Sequence, residues 1–278
     1  MEKVCIVTGA NSGIGKVTAL ELAKQGNSVV MVCRNRQKGE AVLSEIMSKT
    51  NNLKVELLIA DLSSMKEIRR LAANINTQYP VIDVLINNAG AINGNRTETV
   101  DGYETTFATN HLSYFLLTLL LLDHLKAAPK ARIVNVASQA QQTGKLHFED
   151  LNLKNGYSSF KAYSQSKLAN IMFTYELARR LEKTNITVNC VHPGGVATNF
   201  GSGLEGFWKS LIKLAKPLLR TPEKGAETVI WLATSPEAEN ITGRYFADKK
   251  QIRSIPLSYD QDKTKQLWEK SEKMTGLA

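Results

Sequence analysis

The chain has 278 residues, enough for one large α/β domain or two small ones. Its 43% hydrophobic and 22% charged residues are ordinary for a soluble globular protein. Its 35 basic and 26 acidic residues give a net charge of +9, which admits nucleic acid, an anionic membrane surface or a phosphorylated cofactor as partner; no basic tail or nucleic-acid-binding motif supports the first.

Short β-branched runs alternate with helical patterns along the chain. Strands are predicted at residues 4–8, 29–33, 54–59, 81–86, 131–136, 187–191 and 243–246. Helices are predicted at residues 13–25, 41–49, 66–77, 103–126, 160–183 and 222–234, and a charged helix of no evident chemistry at 260–276. Repeated β-α-β units require a parallel sheet with helices on both faces. We therefore predict an α/β, doubly wound (Rossmann) sheet of about seven strands in a single domain, residues 1–278.

The sequence shows neither a signal peptide nor a membrane span. The most apolar run, residues 112–122, covers 11 residues, whereas a span needs about 20. The three cysteines, Cys5, Cys33 and Cys190, lie in apolar runs and are too few and too scattered for a disulfide framework or a metal site. We expect buried reduced thiols, no bound metal and a cytoplasmic protein.

A glycine-rich loop joins the first strand to the first helix. Such glycines let the backbone approach a pyrophosphate, whose charge the helix N-terminus favours. The spacing Gly9-x-x-x-Gly13-x-Gly15 differs from the common Gly-x-Gly-x-x-Gly, so a turn needed only for packing is the alternative. The position between strand and helix favours a dinucleotide. The predicted cofactor contacts of the loop are Gly9, Asn11, Ser12, Gly13, Ile14 and Gly15.

The end of the second strand distinguishes between the two nicotinamide cofactors. An Asp or Glu there would bind an adenosine ribose and repel a 2′-phosphate. This chain has Arg34 and Arg36 instead, and a guanidinium is suited to phosphate. We predict NADP(H) in preference to NAD(H), with Arg34 as the main contact. The alternative is that both arginines are solvated charges at the start of a helix.

Two further segments follow predicted strands. Asp61 and Leu62 come just after the third strand, where they would meet an adenine edge. The segment Asn87-Asn88-Ala89-Gly90 follows the fourth strand, at the carboxyl end of the sheet where such folds bind ligands. Asn and Gly also favour simple turns, which is the alternative interpretation. Its position favours cofactor binding by Asn88, Ala89 and Gly90.

Tyr163 and Lys167 are four residues apart in a predicted helix. Side chains at this spacing lie on one helix face, where a lysine ammonium can lower the pKa of a phenol that exchanges a proton with a substrate oxygen. A single Tyr-x-x-x-Lys pair on an amphipathic helix usually has no function. The pair gains its meaning from the other motifs of the chain.

Together these motifs resemble the short-chain dehydrogenase/reductase family over about residues 3–246. The matching motifs are Thr8-Gly-x-x-x-Gly-x-Gly15, Asn87-Asn-Ala-Gly90, Asn110, Ser138, Tyr163-x-x-x-Lys167 and Pro193-Gly194. Within the family the chain is similar to the retinol dehydrogenase-like group. The supporting segments are residues 132–138, 166–170, 177–181, 191–194 and 267–269.

The resemblance implies a catalytic set. Tyr163 would be the general acid in reduction and the general base in oxidation, and Lys167 would lower its pKa and hold the nicotinamide ribose. Ser138 would hydrogen-bond the substrate oxygen, and Asn110 would fix a water linking Lys167 to solvent. The nicotinamide end would be held by Pro193, Gly194, Val196 and Thr198. Neither His111 nor His192 is given a catalytic role, because a histidine beside a motif is more often packed or capping.

One spacing departs from the family pattern. Ser138 and Tyr163 are 25 residues apart, about twice the separation in most relatives. The insert at residues 139–160 is shared in kind with the retinol dehydrogenase-like group. Three other serines are rivals for the role of Ser138, which is preferred because it directly follows a strand. The rivals are Ser158, Ser159 and Ser164.

Substrate identity is expected in a lid at residues 196–220. The segment is apolar, with Phe200, Phe207 and Trp208 among its side chains, which suits a small lipophilic aldehyde, ketone or alcohol. Its basic residues recur at helical spacing, so the segment could contact an anionic membrane surface. A solvated face on a packed helix is the favoured interpretation. The basic residues are Lys209, Lys213, Lys216 and Arg220.

The leading function is therefore an NADP(H)-dependent carbonyl reductase or alcohol dehydrogenase, and the resemblance implies a retinal-like substrate. A catalytically weak NADP(H)-sensing or scaffold protein of the same fold is the alternative, although Tyr163, Lys167 and Ser138 are all present. An epimerase or dehydratase would need a longer carboxyl-terminal substrate domain. The apolar face at residues 114–122 and the Tyr163 helix could pair in a homodimer, and a monomer stays open.

Overall fold

A single mixed sheet organises the protein, for which the computed structural model describes residues 2–196 and 219–278. The eight strands are arranged in the order β3-β2-β1-β4-β5-β6-β7-β8, and only the β7–β8 pair is antiparallel. The strands are β1 (Val4–Thr8), β2 (Ser28–Cys33), β3 (Val55–Ile59), β4 (Val84–Asn87), β5 (Ala131–Val136), β6 (Ile186–Val191), β7 (Arg244–Ala247) and β8 (Lys250–Ile252). The predicted doubly wound sheet and its seven parallel strands are confirmed.

The eighth strand was not predicted. Its three residues, Lys250, Gln251 and Ile252, contain no apolar run that would mark a strand, and two of them are exposed. The strand forms because Asp248 and Lys249 both take positive φ, of 50° and 60°, in the tight turn after β7. Such a turn returns the chain antiparallel to the edge of the sheet.

Nine α-helical segments lie in the described ranges. They are α1 (Gly13–Lys24), α2 (Arg36–Thr50), α3 (Met65–Gln78), α4 (Thr105–Phe107), α5 (Ser113–Leu120), α6 (Leu122–Lys126), α7 (Ser159–Arg180), α8 (Pro222–Thr234) and α9 (Gln261–Thr275). The helix predicted at residues 103–126 is divided, because a π-helical turn at Ala108–Leu112 separates α4 from α5 and a break at Leu121 separates α5 from α6.

Apolar layers cover both faces of the sheet. On one face, α1, α2 and α8 contribute residues such as Leu22, Ile46 and Val229. On the other face, α3, α5, α7 and α9 contribute to a larger layer. The amphipathic α3 has its buried residues at helical spacing, with Ile68 and Ile75 fully buried. The layers enclose the sheet as predicted and leave its carboxyl edge to carry the site.

Helix α9 belongs to this core. The sequence presents it as a charged helix without evident chemistry, yet Leu267 and Trp268 are buried against α5 and α7. The Trp268 ring lies 4.9 Å from the ring of Phe115, between ring centroids. Trp268 of α9 therefore covers Phe115 on the face suggested for a homodimer, and Tyr114 and Leu117 on that face are buried, while the homodimer itself stays a prediction.

The cysteines behave as predicted. Cys5, Cys33 and Cys190 are free and buried. Burial raises the pKa of the Cys5 thiol to about 12 and also raises the pKa values of the other two thiols. A thiol that stays protonated is a weak nucleophile and a poor metal ligand. These side chains act as small apolar groups of the core.

Candidate active site

Helix α7 carries Tyr163 and Lys167 on the face directed at the carboxyl end of β5. The helix begins after Ser158, whose side chain accepts a hydrogen bond of 3.2 Å from the Lys161 main-chain nitrogen. Lys167 is buried, and its Nζ donates to the Val136 carbonyl oxygen at 2.8 Å. The same Nζ lies 5.7 Å from the centroid of the Tyr163 ring. The i, i+4 pair is thus assembled against the last residue of a central strand.

Burial shifts the pKa values of this pair in opposite directions. It raises the pKa of the Tyr163 phenol to about 12, and a hydrogen bond with the Ser138 side chain partly opposes the rise. It lowers the pKa of the Lys167 ammonium to about 7. Desolvation is the largest cause of the shift at Tyr163, and the Lys167 Nζ is directed at the Val136 carbonyl. The lowering of the Tyr163 pKa by a charged Lys167 stays a prediction.

Ser138 is the serine that meets Tyr163. It lies two residues beyond β5, and its side chain accepts a 3.2 Å hydrogen bond from the Ala140 nitrogen. Of its predicted rivals, Ser158 caps α7, and Ser164 is buried with its Oγ 3.3 Å from Thr143 Oγ1. The structure therefore brings Ser138, Tyr163 and Lys167 together, as the sequence predicts.

Asn110 lies in the π-helical turn and is fully buried. Its Oδ1 accepts from the Ala91 nitrogen at 2.8 Å, and its Nδ2 donates to the Ala91 carbonyl and to Ser166 Oγ, both at 2.9 Å. A π turn adds a residue to a helical turn, and such turns are frequent at functional sites. Asn110 thereby ties the loop after β4 to α7, close to Lys167.

The glycine-rich loop is packed against the segment that follows β4. Thr8 Oγ1 accepts from the main-chain nitrogens of Asn88 and Ala89 at 2.9 and 3.0 Å, and Asn88 Nδ2 donates to the Thr8 carbonyl at 2.8 Å. A Cβ on Gly15 would lie 2.3 Å from the Gly9 carbonyl oxygen, and Gly9 has φ of 68°. These glycines are therefore needed for packing. The close packing also forms a cradle at the start of α1.

The start of α1 fits a dinucleotide pyrophosphate. Ser12 is the N-cap, but its side chain makes no capping hydrogen bond, and the first turn contains no acidic residue. The first main-chain N–H groups of a helix have no partner within the helix, and the helix dipole favours an anion there. The predicted loop residues Asn11, Gly13 and Ile14 lie at this helix start and are partly exposed.

Arg34 and Arg36 lie just past β2 with their side chains 76% and 70% exposed. Arg34 Nη1 is 3.7 Å from Asp61 Oδ2, and Arg36 Nη1 is 3.5 Å from Glu40 Oε1. Both ion pairs are solvated and weak, so the guanidinium groups remain able to contact a phosphate. Leu62 is buried, and its contact with an adenine edge stays a prediction.

The segment after β6 holds the two ends of the predicted lid together. Val196 and Arg220 form a parallel bridge, and the Arg220 nitrogen donates to the Gly195 carbonyl at 2.7 Å. Gly194 has φ of 87°, and a Cβ there would lie 2.6 Å from Arg220 Cδ. Arg220 in turn pairs with Asp248, with Nη2 3.0 Å from Oδ2. Thr198 and the other lid residues at 197–218 lie outside the described residues.

A cavity of about 240 Å³ opens beside this segment, and sequence reasoning did not predict its lining. His192 Nδ1 accepts from the Gln139 nitrogen at 3.1 Å, which agrees with the packing role expected for His192. The Tyr245 hydroxyl is buried without a hydrogen-bond partner among the described residues. The lining is mostly polar and comprises Gln139, Gln141, Gln142, His192, Arg220, Tyr245, Ala247, Asp248, Ile252 and Arg253.

Tyr114 is a second residue that sequence reasoning missed. Its ring centroid is 5.7 Å from Lys167 Nζ, and its buried hydroxyl has no hydrogen-bond partner in the described ranges. Burial holds the pKa of this phenol above its usual range. The residue sits in the apolar run that was interpreted only as a buried or interface helix. No local sequence signal distinguishes it from its leucine neighbours.

Other kinds of site receive no support from the described residues. Across residues 2–196 and 219–278, His, Cys, Asp and Glu side chains form no group that could hold a metal ion. In the same ranges, each helix is too short or too polar to cross a bilayer.

Comparisons with known proteins agree with this geometry. The sequence model of the short chain dehydrogenase family matches residues 3–205. Mouse retinol dehydrogenase 14 is 41% identical over 293 residues, with 99% of this chain and 86% of that protein covered. Human retinol dehydrogenase 13 is 42% identical, with 99% and 85% covered. Human polyprenol dehydrogenase is 41% identical, with 99% and 86% covered.

Solved structures show the same relationship. An uncharacterized protein from Mycobacterium paratuberculosis superposes with a TM-score of 0.81 at 33% identity, covering 99% of this chain and 93% of that one. A short chain dehydrogenase from Shigella flexneri, complexed with NADP, gives a TM-score of 0.70 at 25% identity, covering 89% and 97%. The chain therefore belongs to the short-chain dehydrogenases and resembles the retinol dehydrogenase-like group within them.

Proposed function

We propose that this short-chain dehydrogenase is an NADP(H)-dependent oxidoreductase that interconverts a lipophilic carbonyl compound and its alcohol. Family membership supports the more general part of this proposal, that the protein is a hydride-transferring oxidoreductase. The single observation that supports catalysis by this chain is the assembly of Ser138, Tyr163 and Lys167 beside the cofactor cradle. A chain that only sensed the cofactor would not need this set of side chains.

When bound, the nicotinamide ring would supply or accept the hydride. Tyr163 would donate its phenolic proton to the carbonyl oxygen in reduction and accept a proton from the hydroxyl in oxidation. Ser138, already hydrogen-bonded to Tyr163, would orient the same oxygen. Lys167 would hold the nicotinamide ribose, and in its charged form it would favour the phenolate.

The preference for NADP(H) rests on Arg34 and Arg36. Both side chains are exposed at the end of β2, where a 2′-phosphate of the adenosine ribose would lie. Asp61, the nearest carboxylate to Arg34, already receives hydrogen bonds from Ser63, at 2.9 Å from its nitrogen and 2.8 Å from its Oγ. That structural neighbours include an NADP complex is consistent with this preference.

The proposed substrate is a lipophilic aldehyde, ketone or alcohol. The names of the relatives, retinol and polyprenol dehydrogenases, point to apolar alcohols and their carbonyl products. The described cavity is polar, so the apolar lining would have to come from the lid sequence. A retinal-like aldehyde, a steroid and an aromatic ketone all satisfy these requirements.

The test is consumption of NADPH by the purified protein with a panel of retinal, other hydrophobic aldehydes, steroids and aromatic ketones, run in parallel with NADH. We expect turnover with at least one hydrophobic carbonyl and a higher kcat/KM for NADPH than for NADH. Equal use of both cofactors would overturn the cofactor preference. NADPH binding without turnover on any compound would favour the sensing or scaffold alternative.

A further inference from the structure

A chain of buried hydrogen bonds connects α9 to Asn110. Ser271 Oγ on α9 lies 3.0 Å from His111 Nε2, and His111 Nδ1 lies 3.3 Å from Asn170 Oδ1 on α7. Asn170 Nδ2 donates to the Asn110 carbonyl oxygen at 2.9 Å. All four side chains are fully buried, with 0% exposure. The chain crosses three elements: α9, α7 and the π-helical turn.

The hydrogen bonds determine the state of His111. Asn170 directs its amide nitrogen to the Asn110 carbonyl, so its oxygen faces His111 and Nδ1 must carry a proton. Because burial lowers the pKa of His111 to about 4, the ring is neutral and Nε2 is an acceptor. The single proton of the Ser271 hydroxyl has two acceptors within reach, Nε2 at 3.0 Å and the Leu267 carbonyl oxygen at 2.8 Å. The Leu267 carbonyl also accepts the helical hydrogen bond from the residue four positions later, so donation to Nε2 leaves fewer groups unpaired.

Asn110, at the end of this chain, lies against the catalytic helix. Its side chain forms hydrogen bonds with the Ala91 nitrogen, the Ala91 carbonyl oxygen and the Ser166 hydroxyl. Ser166 Oγ in turn donates to the Tyr163 carbonyl oxygen at 2.8 Å. Gly90 lies between Asn110 and the lysine: a Cβ there would be 3.3 Å from Asn110 Oδ1 and 3.6 Å from Lys167 Nζ. A shift of Asn110 would therefore change the positions of both Tyr163 and Lys167.

We propose that His111 and Ser271 are positioning residues, which hold Asn110 and through it the backbone around Tyr163 and Lys167 in the geometry that hydride transfer requires. The proposal rests on the catalytic roles given to Tyr163 and Lys167 under the proposed function. It extends the site to α9, which lies beyond the residues 3–205 matched by the family model. An imidazole that only filled space among Phe107, Phe115 and Phe173 would not need two oriented hydrogen bonds.

The proposal has a kinetic signature. Loosening Asn110 would move Lys167 relative to the Tyr163 phenol, and a more distant ammonium stabilises the phenolate less. The pH midpoint of alcohol oxidation, which needs the phenolate, would then move to higher pH. The other titratable groups that face this pair are Tyr114 on α5 and Tyr245 on β7, and neither contacts His111 or Ser271 through a described hydrogen bond. KM should change little, since neither positioning residue lies at the cavity.

The first test compares Ser271→Ala with Thr275→Val in the full-length protein. Thr275 is also buried on α9, and among the described residues its hydroxyl bonds to the main-chain carbonyls of Ser271 and Glu272. Both variants lose a buried hydroxyl from the same helix, so both should lower Tm. We expect only Ser271→Ala to lower kcat, by about tenfold or more, and to raise the pH midpoint of oxidation. Equal kcat and equal pH midpoints in the two variants would overturn the proposal.

A second pair of variants covers the case in which Ser271→Ala does not fold. His111→Asn keeps an N–H donor near Asn170, whereas His111→Phe removes it and fits the surrounding aromatic cluster. We expect His111→Asn to retain more kcat and a pH midpoint nearer to that of the wild type. Indistinguishable pH profiles would show that His111 serves packing alone. A wild-type protein without turnover would instead refute the proposed function, which separates the two failures.

Discussion

At the scale of single residues, desolvation sets the chemistry of the site. Tyr163 is partly buried and Lys167 is buried, and desolvation disfavours the charged form of each group. The phenol is consequently protonated at neutral pH, which is the state that a general acid for carbonyl reduction requires. Oxidation requires the opposite state, so it depends more strongly on the charge of Lys167.

Replacement of Tyr163 tests the general acid directly. We expect Tyr163→Phe to lower kcat by about 10²- to 10⁴-fold, since proton transfer by a positioned side chain contributes that much, and to leave NADPH binding intact. Tyr175→Phe is the matched control, because Tyr175 lies on the same helix and its hydroxyl contacts Ser254 at 2.9 Å. Steady-state rates and NADPH titration by fluorescence measure both effects. Near-normal turnover in Tyr163→Phe would refute the mechanism.

The buried His111 makes folding stability depend on pH. Burial lowers its pKa from 6.5 to about 4, although the hydrogen bond with Asn170 acts in the opposite direction. A base with a depressed folded-state pKa contributes its stability fully above pH 6.5, and this contribution is lost as the pH falls towards 4. At roughly 1.4 kcal/mol per pKa unit, the loss reaches about 3 kcal/mol.

Denaturant unfolding at several pH values measures this contribution. Wild-type stability should fall more steeply than that of His111→Phe between pH 6.5 and 4, because the variant has no imidazole to protonate. The difference between the two proteins cancels the common contribution of the carboxylates. Parallel stability curves would show that His111 binds no additional proton on unfolding in this range.

At the scale of elements, the spacing of apolar residues and the turn residues predict the strands of the sheet. They do not predict the π-helical turn or the short edge strand. Seven parallel strands are evident because each carries a short apolar run, which is rich in β-branched residues in most of them and aromatic in β7. The π-helical turn at Ala108–Leu112 is not evident, since its residues fit an uninterrupted helix as well, and the interruption follows from the tertiary contacts of Asn110. β8 is not predicted either, because an edge strand of three residues needs no apolar pattern.

The end of β2 gives a prediction at this scale. Arg34→Glu should raise KM for NADPH about tenfold or more, because a charge-assisted contact to a phosphate is lost and a repulsive charge is introduced. KM for NADH should stay the same or fall. Arg36→Glu is the control with a smaller expected effect, since Arg36 faces Glu40 rather than Asp61. An unchanged NADPH KM in Arg34→Glu would end the argument for NADP(H) from this residue.

At the scale of the whole molecule, the candidate site is collected from many segments at the carboxyl edge of one sheet. Motif residues at Gly9–Gly15, Ser138, Tyr163 and Lys167 are predictable because each motif follows a strand or occupies one helix face. Tyr114, Tyr245 and Ser271 are not, because tertiary packing alone brings them to the site. Helix α9 is the clearest example. Its sequence is mostly charged, yet its buried residues Leu267 and Trp268 pack in the core against α5 and α7.

Trp268 measures how much α9 contributes to the stability of the whole chain. Its ring packs on Phe115 and Phe173, and the Arg180 guanidinium lies 4.0 Å from its centroid. We expect Trp268→Ala to destabilise the protein by about 3–5 kcal/mol, the usual cost of removing a large buried aromatic. Trp231→Ala, at a partly buried position on α8, should cost less. Equal losses in urea unfolding would contradict the role of α9 as part of the core.

Isotope transfer from the cofactor tests hydride transfer by this protein directly. Purified protein would be incubated with a hydrophobic aldehyde and with NADPH deuterated separately at each face of nicotinamide C4, and the alcohol product analysed by mass spectrometry. We expect deuterium from one of the two labelled cofactors to appear on the carbinol carbon of the product, and we expect Tyr163→Phe to form little product. Alcohol that contains no deuterium with either cofactor would contradict hydride transfer by this protein.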